Sequence, residues 1–292
     1  MSNKNISKVD IVCSNLQARQ TSVNNNYEIR RAYLRELASV LTSMDSSDVN
    51  IIHNIRQEYK TLTCEKLSLS QKEKHILCYY ISEEMGKKFD DCLEMFILDP
   101  SFTPRRLCYV KNHYSDIAYR VFDNALDGVT SEYADSFDLA AQSVFYENCS
   151  GCILPYESEG GGVMTGIRTI AEKYDLNKAC VCHVDAGGQM TKFVLFTRGI
   201  WVNKDANKLE FTVITPSFFH CSDLIEAGMY FGFKDGGIIS TSFSDEDERT
   251  STFSFTGGES NMRAMLLYLS LEYERSRISG IYNEIVPFKH HL

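Results

Sequence analysis

The chain reads as α/β and α+β in three parts. An N-terminal helical module is followed by a layer of alternating strands and helices, and then by a C-terminal unit of the ferredoxin-like kind. Three observations carry this reading. Apolar residues recur every three or four positions through residues 27–98, the period shortens at Arg106, and the order from residue 209 is β-α-β-β-α-β. A length of 292 residues, 43% of them hydrophobic, allows two domains or a little more, with cores that need no disulfide or metal as a staple. The expected divisions are a flexible tail over 1–26, a helical domain over 27–105, an α/β domain over 106–200 and the C-terminal domain over 201–292.

The tail is rich in Asn, Ser and Gln and ends in Asn24-Asn25-Asn26, a composition too polar to bury. Ile29, Tyr33, Leu34, Leu37 and Leu41 carry the first helix, and Val49, Ile52, Ile55, Tyr59 and Leu62 the second. Ser70 caps a third with Ile76, Leu77, Tyr80 and Ile81 on one face, and Phe89, Leu93, Phe96 and Ile97 mark a fourth that stops before Pro100. In the middle layer, 107–110, 129–133, 152–154, 179–184 and 192–197 are short strands, the third ended by Pro155. Helices over 116–126 (capped by Ser115), 136–146 (capped by Ser136) and 163–174 alternate with them. In the last part 209–214, 237–242, 250–255 and 279–285 are strands, and 223–230 and 261–274 are helices.

Charge and cysteine usage narrow the function classes. With 39 acidic against 30 basic residues the net charge is -9, which repels a phosphate backbone unless the cations cluster. The clusters are only pairs, Arg30-Arg31, Lys87-Lys88 and Arg105-Arg106, so nucleic acid is not favoured. No apolar run is long enough to span a bilayer, and the polar first ten residues lack a secretory apolar segment, so a cytoplasmic protein with reduced thiols is expected. Cys149, Cys152, Cys180 and Cys182-His183 have a spacing that admits zinc, but cysteine on a strand is more often core. No metal and no cofactor is expected. Gly160-Gly161-Gly162 lacks the Lys-Ser/Thr ending of a phosphate loop and reads as a strand-to-helix turn.

The run from Leu107 to Ala118, with the aromatic-Ser pair Tyr114-Ser115, resembles the opening of a prephenate dehydratase domain. Asp135-Ser136-Phe137, Ala140-Ala141 and Ile153-Leu154-Pro155-Tyr156-Glu157 resemble the family's next helix and strand end. Met190-Thr191-Lys192-Phe193 resembles its Thr-Arg-Phe signature, and the C-terminal β-α-β-β-α-β resembles the ACT domain that follows it. The resemblance covers 106–286 and departs from the family in four ways, the first being that Lys111, Asn112 and His113 stand where the family has glycines. The segment from Glu157 to Thr191 holds one helix and one strand where the family has a second lobe, so the α/β part is a truncated periplasmic-binding-protein-like lobe. Ser158 stands where the family has Asn, and Lys192 where it has Arg.

The resemblance implies a chemistry. Prephenate dehydration expels hydroxide and carbon dioxide together, so an enzyme must hold carboxylates and protonate the leaving oxygen. Thr191 matches the family's catalytic threonine, Lys192 would hold a carboxylate as a point charge, and Phe193 completes the signature, while Tyr114, Ser115, Glu157 and Ser158 match substrate-binding positions. An anionic ligand is expected at the helix start after Ser115, beside Thr191 and Lys192. In the ACT-like part the ligand positions are Phe219, Cys221, Ser222, Asp223, Ser240 and Ser242, though neither the Gly-Ala-Leu nor the Glu-Ser-Arg-Pro motif is kept. The expected function is that of a diverged prephenate dehydratase–ACT protein linked to phenylalanine metabolism. It would bind a small aromatic or carboxylate ligand, regulate with weak or no catalysis, and form a homodimer through the ACT-like domain. The alternatives are an active carbon–oxygen lyase on prephenate and a ligand-responsive transcription regulator reading DNA through 70–89.

Overall fold

The computed structural model describes residues 8–20, 27–43, 51–86, 104–126, 128–158, 162–185, 188, 190–200, 206–244 and 247–285. Its first elements are α1 (Lys8–Gln20), α2 (Tyr27–Thr42), α3 (Ile51–Thr61) with a π-turn over Leu62–Lys66, and α4 (Gln71–Met85). Then come β1 (Arg106–Val110), α5 (His113–Leu126), β2 (Thr130–Ala134), α6 (Phe137–Phe145), β3 (Gly151–Ser158), β4 (Gly162–Val163), α7 (Thr165–Lys173), β5 (Asn177–Asp185) and β6 (Met190–Thr197). The last are β7 (Lys208–Pro216), α8 (Ser222–Tyr230), β8 (Asp235–Phe243), β9 (Glu248–Thr256), α9 (Glu259–Glu272), β10 (Ser276–Tyr282) and β11 (Glu284–Ile285). The fourth helix expected over 89–97 lies outside the described residues.

By contacts the chain forms two compact units, Met1–Leu93 with Val213–Ser276 and Glu94–Thr212 with Arg277–Leu292. The grouping does not follow the linear segments: the N-terminal helices fold with most of the C-terminal elements.

In the first unit, Lys8–Gln20 is a helix where a loose tail was expected. Val9, Val12, Cys13 and Leu16 recur at helical spacing and are buried, a short stripe hidden in a polar composition. Lys66 holds the helix through Asp10 at 2.8 Å. Helix α4 begins with a full capping box: the Ser70 hydroxyl accepts from Glu73 N, and Glu73 Oε2 accepts from Ser70 N at 2.9 Å. The same Glu73 accepts from Arg30 of α2, which ties the two helices. Strands β8 and β9 pair antiparallel from Asp235↔Thr256 to Phe243↔Arg249. Phe255 packs where a Cβ on Gly228 would lie 2.2 Å from its ring and one on Gly236 only 2.1 Å, so glycine is required for the close approach of α8 and β8.

In the second unit the strand order is β2-β1-β3-β6-β5-β10, with β1 parallel to β2 and β3, and β6 antiparallel to β3 and β5. Strand β3 runs through Pro155 to Ser158 instead of ending at the proline. The register slips between Pro155 and Glu157, and that irregularity absorbs the missing N–H. Alternation sends side chains to two cores. One gathers Ala140, Val144, Ile167, Val181 and Val194, and the other Ala118, Phe122, Ala179, Phe193 and Leu195. In the first core Lys178 Nζ meets Glu210 at 2.8 Å and lies 4.1 Å above the Tyr156 ring, and Tyr282 donates to the same carboxylate. Burial pulls the Lys178 pKa down, but Glu210 and Tyr156 outweigh it, and the ammonium is held charged.

Candidate functional site

Three neighbouring strands line up Glu157 (β3), Lys192 (β6) and His183 (β5) in register, with Ser158, Thr191 and Val184 one step on. Strand β11 pairs with β5 and adds Glu284. Lys192 Nζ lies 3.3 Å from Glu284 and 3.9 Å from Glu157, His183 Nε2 lies 3.9 Å from Glu284, and Lys208 Nζ 4.0 Å from it. Lys192, at 22% side-chain exposure, is thus already shared between two carboxylates at the edge of solvent. His183, Lys208 and Glu284 were not anticipated as members of this cluster. Only pairing in the sheet brings them together, and nothing in their spacing announces it.

The convergence of Ser115, Thr191 and Lys192 does not follow from the strand geometry. Phe193 joins the core around Ala118 and Phe122 of α5, and Val194 the opposite one. With a period of two, Thr191 emerges on the Phe193 face and Lys192 on the Val194 face.

The start of α5 is likewise occupied. Asn112, not Ser115, caps it: Asn112 Oδ1 accepts from Tyr114 N at 3.1 Å and Ser115 N at 2.9 Å, and its Nδ2 donates to Ser115 Oγ at 2.9 Å. An Asn just before the helix was a legible N-cap signal. Ser115 is fully buried inside the first turn, and Tyr114 is exposed beside His113. Tyr109 donates to Asp116 at 2.9 Å.

The ACT-ligand positions divide between two clusters. Asp223 turns to a buried network, accepting from Tyr268 at 2.6 Å and Tyr273 at 2.5 Å and meeting His75 Nε2 of α4 at 3.1 Å. Burial alone would raise its carboxyl, but bonds from His75, Tyr268, Tyr273 and Gln71 bring it down to about 2. Cys221, which precedes α8, lies 2.8 Å from Arg249 Nη2 and 3.6 Å from the Ser251 hydroxyl, and Phe219 O accepts from Arg249. Ser222 is exposed at the first turn of α8. Ser240 and Ser242 lie on β8 opposite Thr252 and Thr250. Arg249 and His75 were missed because each acts across strands or helices far apart in sequence.

The zinc arrangement admitted by the cysteine spacing is not assembled. Cys149 and Cys152 lie in one core, Cys180 and Cys182 in the other, on opposite faces of the strands. Among the described residues no three His, Cys, Asp or Glu gather as a metal site. Burial pushes the Cys149 thiol up to about 11. That thiol borders a cavity of about 390 Å³ with Val144, Glu147, Ser150, Arg198 and Gly199, at the far end of β6 from Lys192. Among the described residues no helix is long and apolar enough to cross a membrane.

No protein-family model matches the chain, and no curated protein is similar to it in sequence. Solved structures are similar in fold. Prephenate dehydratase from Streptococcus mutans superposes with a TM-score of 0.50 at 12% identity, covering 62% of this chain and 98% of that one. Over that span the fold is prephenate dehydratase-like. GqqA, described as a novel type of quorum quenching acylase, gives 0.44 at 13% identity, covering 64% of this chain and 99% of its own. Prephenate dehydratase from Arthrobacter aurescens in complex with L-Phe gives 0.42 at 10% identity, covering 61% and 89%. Among the described residues, β4, α7 and β5 are the elements between Ser158 and Met190.

Proposed function

We propose that this is a diverged prephenate dehydratase–ACT protein that binds a small aromatic or carboxylate ligand and acts by regulation rather than turnover. One observation carries the reading: the groups that would hold a substrate's carboxylates are already satisfied internally. Lys192 is shared by Glu157 and Glu284, and the first N–H groups of α5 are taken by Asn112. A dicarboxylate would have to displace both sets of partners, and a lysine lacks the bidentate fork that rewards such an exchange. The short segment between Glu157 and Thr191 supports a truncated lobe, which leaves a substrate cleft without one wall.

The test is a spectroscopic prephenate-turnover assay on wild type and Thr191→Ala. The expected result is no turnover by either. Turnover that vanishes in Thr191→Ala would replace this reading with that of a working lyase. The DNA-reader alternative stays second on the acidic net charge of -9, and within the described part of 70–89 Lys74 is paired with Glu272. A homodimer through the ACT-like part is favoured by β8, which pairs with β9 and carries exposed Ile238, Ile239 and Phe243. Light scattering at micromolar concentration should give twice the chain mass.

A further inference from the structure

We propose that the cavity at the α6–β3 turn of the second unit binds a free α-amino acid with an apolar side chain, its carboxylate on Arg198 and its ammonium on Glu147. This site lies at the opposite end of β6 from Lys192 and is independent of the ligand proposed above.

The cavity encloses about 390 Å³, a volume suited to a small molecule. Among the described residues it is lined by Val144, Glu147, Cys149, Ser150, Arg198 and Gly199. Its backbone is fixed on both sides. Thr197 Oγ1 donates to Gly199 O at 2.6 Å and Asn177 Nδ2 to Arg198 O at 2.8 Å, which pins the end of β6. Ser150 Oγ accepts from Arg105 N at 2.7 Å and Arg106 N at 2.8 Å and donates to Arg106 O at 3.0 Å, so this hydroxyl is spent on the backbone. Cys149 is buried, and burial keeps its thiol protonated. The thiol donates to Glu132 at 3.6 Å, which leaves the sulfur as polarisable apolar surface alongside Val144.

Two lining residues are charged, paired with each other and open to solvent: Arg198 at 54% and Glu147 at 75% side-chain exposure. Such a pair contributes little to stability. A zwitterion can part it without loss, because each member exchanges its partner for a group of the same charge. A dicarboxylate at Lys192 would instead leave Glu157 and Glu284 facing added negative charge. A free amino acid carries both charges on one carbon, the spacing that a touching pair demands. Glu147 holds its place at a cost. Its N–H donates to Val144 O at 3.0 Å after the last turn of α6, and its φ is 63°, where glycine or asparagine is usual. Strain of this kind gathers where a side chain is used. The Arg198 guanidinium stands 5.8 Å from the centre of the Phe145 ring, which orients it. Other charges at this end are matched, Arg106 with Glu132 and Arg277 with Asp175. Arg105 is exposed and adds positive charge, so among the described residues the ammonium depends on Glu147.

Titration of the full chain with leucine, followed by amide NMR shifts, tests this. Leucine is expected to shift the amides of Ser150 and Gly199. Isocaproate and isoamylamine, each lacking one of the two charges, should bind about tenfold or more weakly. Glu147→Gln should weaken leucine by a similar factor, leave isocaproate no weaker and keep the melting temperature. Isocaproate or isoamylamine binding wild type as tightly as leucine overturns the proposal, and these ratios need no variant. So does unchanged leucine affinity in Glu147→Gln. Leucine that moves no amide at this turn up to about 10 mM overturns it as well. Shifts confined to α8 and β8 overturn this site and leave the proposed aromatic or carboxylate ligand intact.

Discussion

Two polar clusters, one around Asp223 and one around Lys192, contain predicted ligand or catalytic residues and are built differently. Around Asp223 the contacts run from 2.5 to 3.1 Å, the partners are buried tyrosines and a histidine, and three helices contribute. Around Lys192 they run from 3.3 to 4.0 Å, every member is partly exposed, and all sit on strands. Short, desolvated bonds leave nothing to exchange with a ligand, and removing one partner strands the rest. Loose, hydrated ion pairs contribute little to stability. Residue type alone would rank Asp223 and Lys192 as equal candidates. Their surroundings make the first a closed, buried network and the second a looser, partly exposed set of ion pairs.

The comparison can be broken by mutation. Asp223→Ala leaves two tyrosine hydroxyls and His75 without their acceptor and should cost about 3–5 kcal/mol, read by urea unfolding. A loss under about 1 kcal/mol, the level of an exposed pair, would place the cluster with the Lys192 type.

Acid sharpens the same contrast. The Asp223 carboxyl is depressed in the folded state to about 2, so its stabilisation is full above the unfolded value and is lost as pH falls through the folded one. Wild type should therefore lose stability between about pH 4 and pH 2, and Asp223→Asn should lose less over that window, measured by melting temperature against pH.

Smaller effects follow in the second unit. Asn112→Ala removes the α5 cap and should cost about 1 kcal/mol, measured in the same unfolding experiment. Lys192→Ala should change stability by less than about 1 kcal/mol. A loss of several kcal/mol there would mean that the strand-end cluster is as closed as the helical one.

Element type and order were legible in the sequence wherever the period was clean. The strands at 107–110, 179–184 and 192–197, the capped helices at Ser70 and Ser136, and the β-α-β-β-α-β order at the end all have counterparts in the structure. Pro155 misled because a proline that ends most strands sits here beside a register slip. The stretch Lys8–Gln20 misled because Val9, Val12, Cys13 and Leu16 are a thin stripe among polar residues.

Sequence by itself determined local structure, because helix and strand periods, caps and breakers act over a few residues and leave their pattern in the chain. It also brought forward Thr191, Lys192, Glu157 and Asp223 as candidate site residues. Only the tertiary structure decided their company. Glu284 reaches Lys192 because β11 pairs with β5, His75 reaches Asp223 from α4, and Arg249 comes beside Cys221 from β9. The alternation of β6 also parts Thr191 from Lys192, neighbours in sequence that face opposite cores. Such meetings are set by which strands pair and which helices cover them, a long-range outcome of burying apolar faces, and no spacing along the chain encodes it.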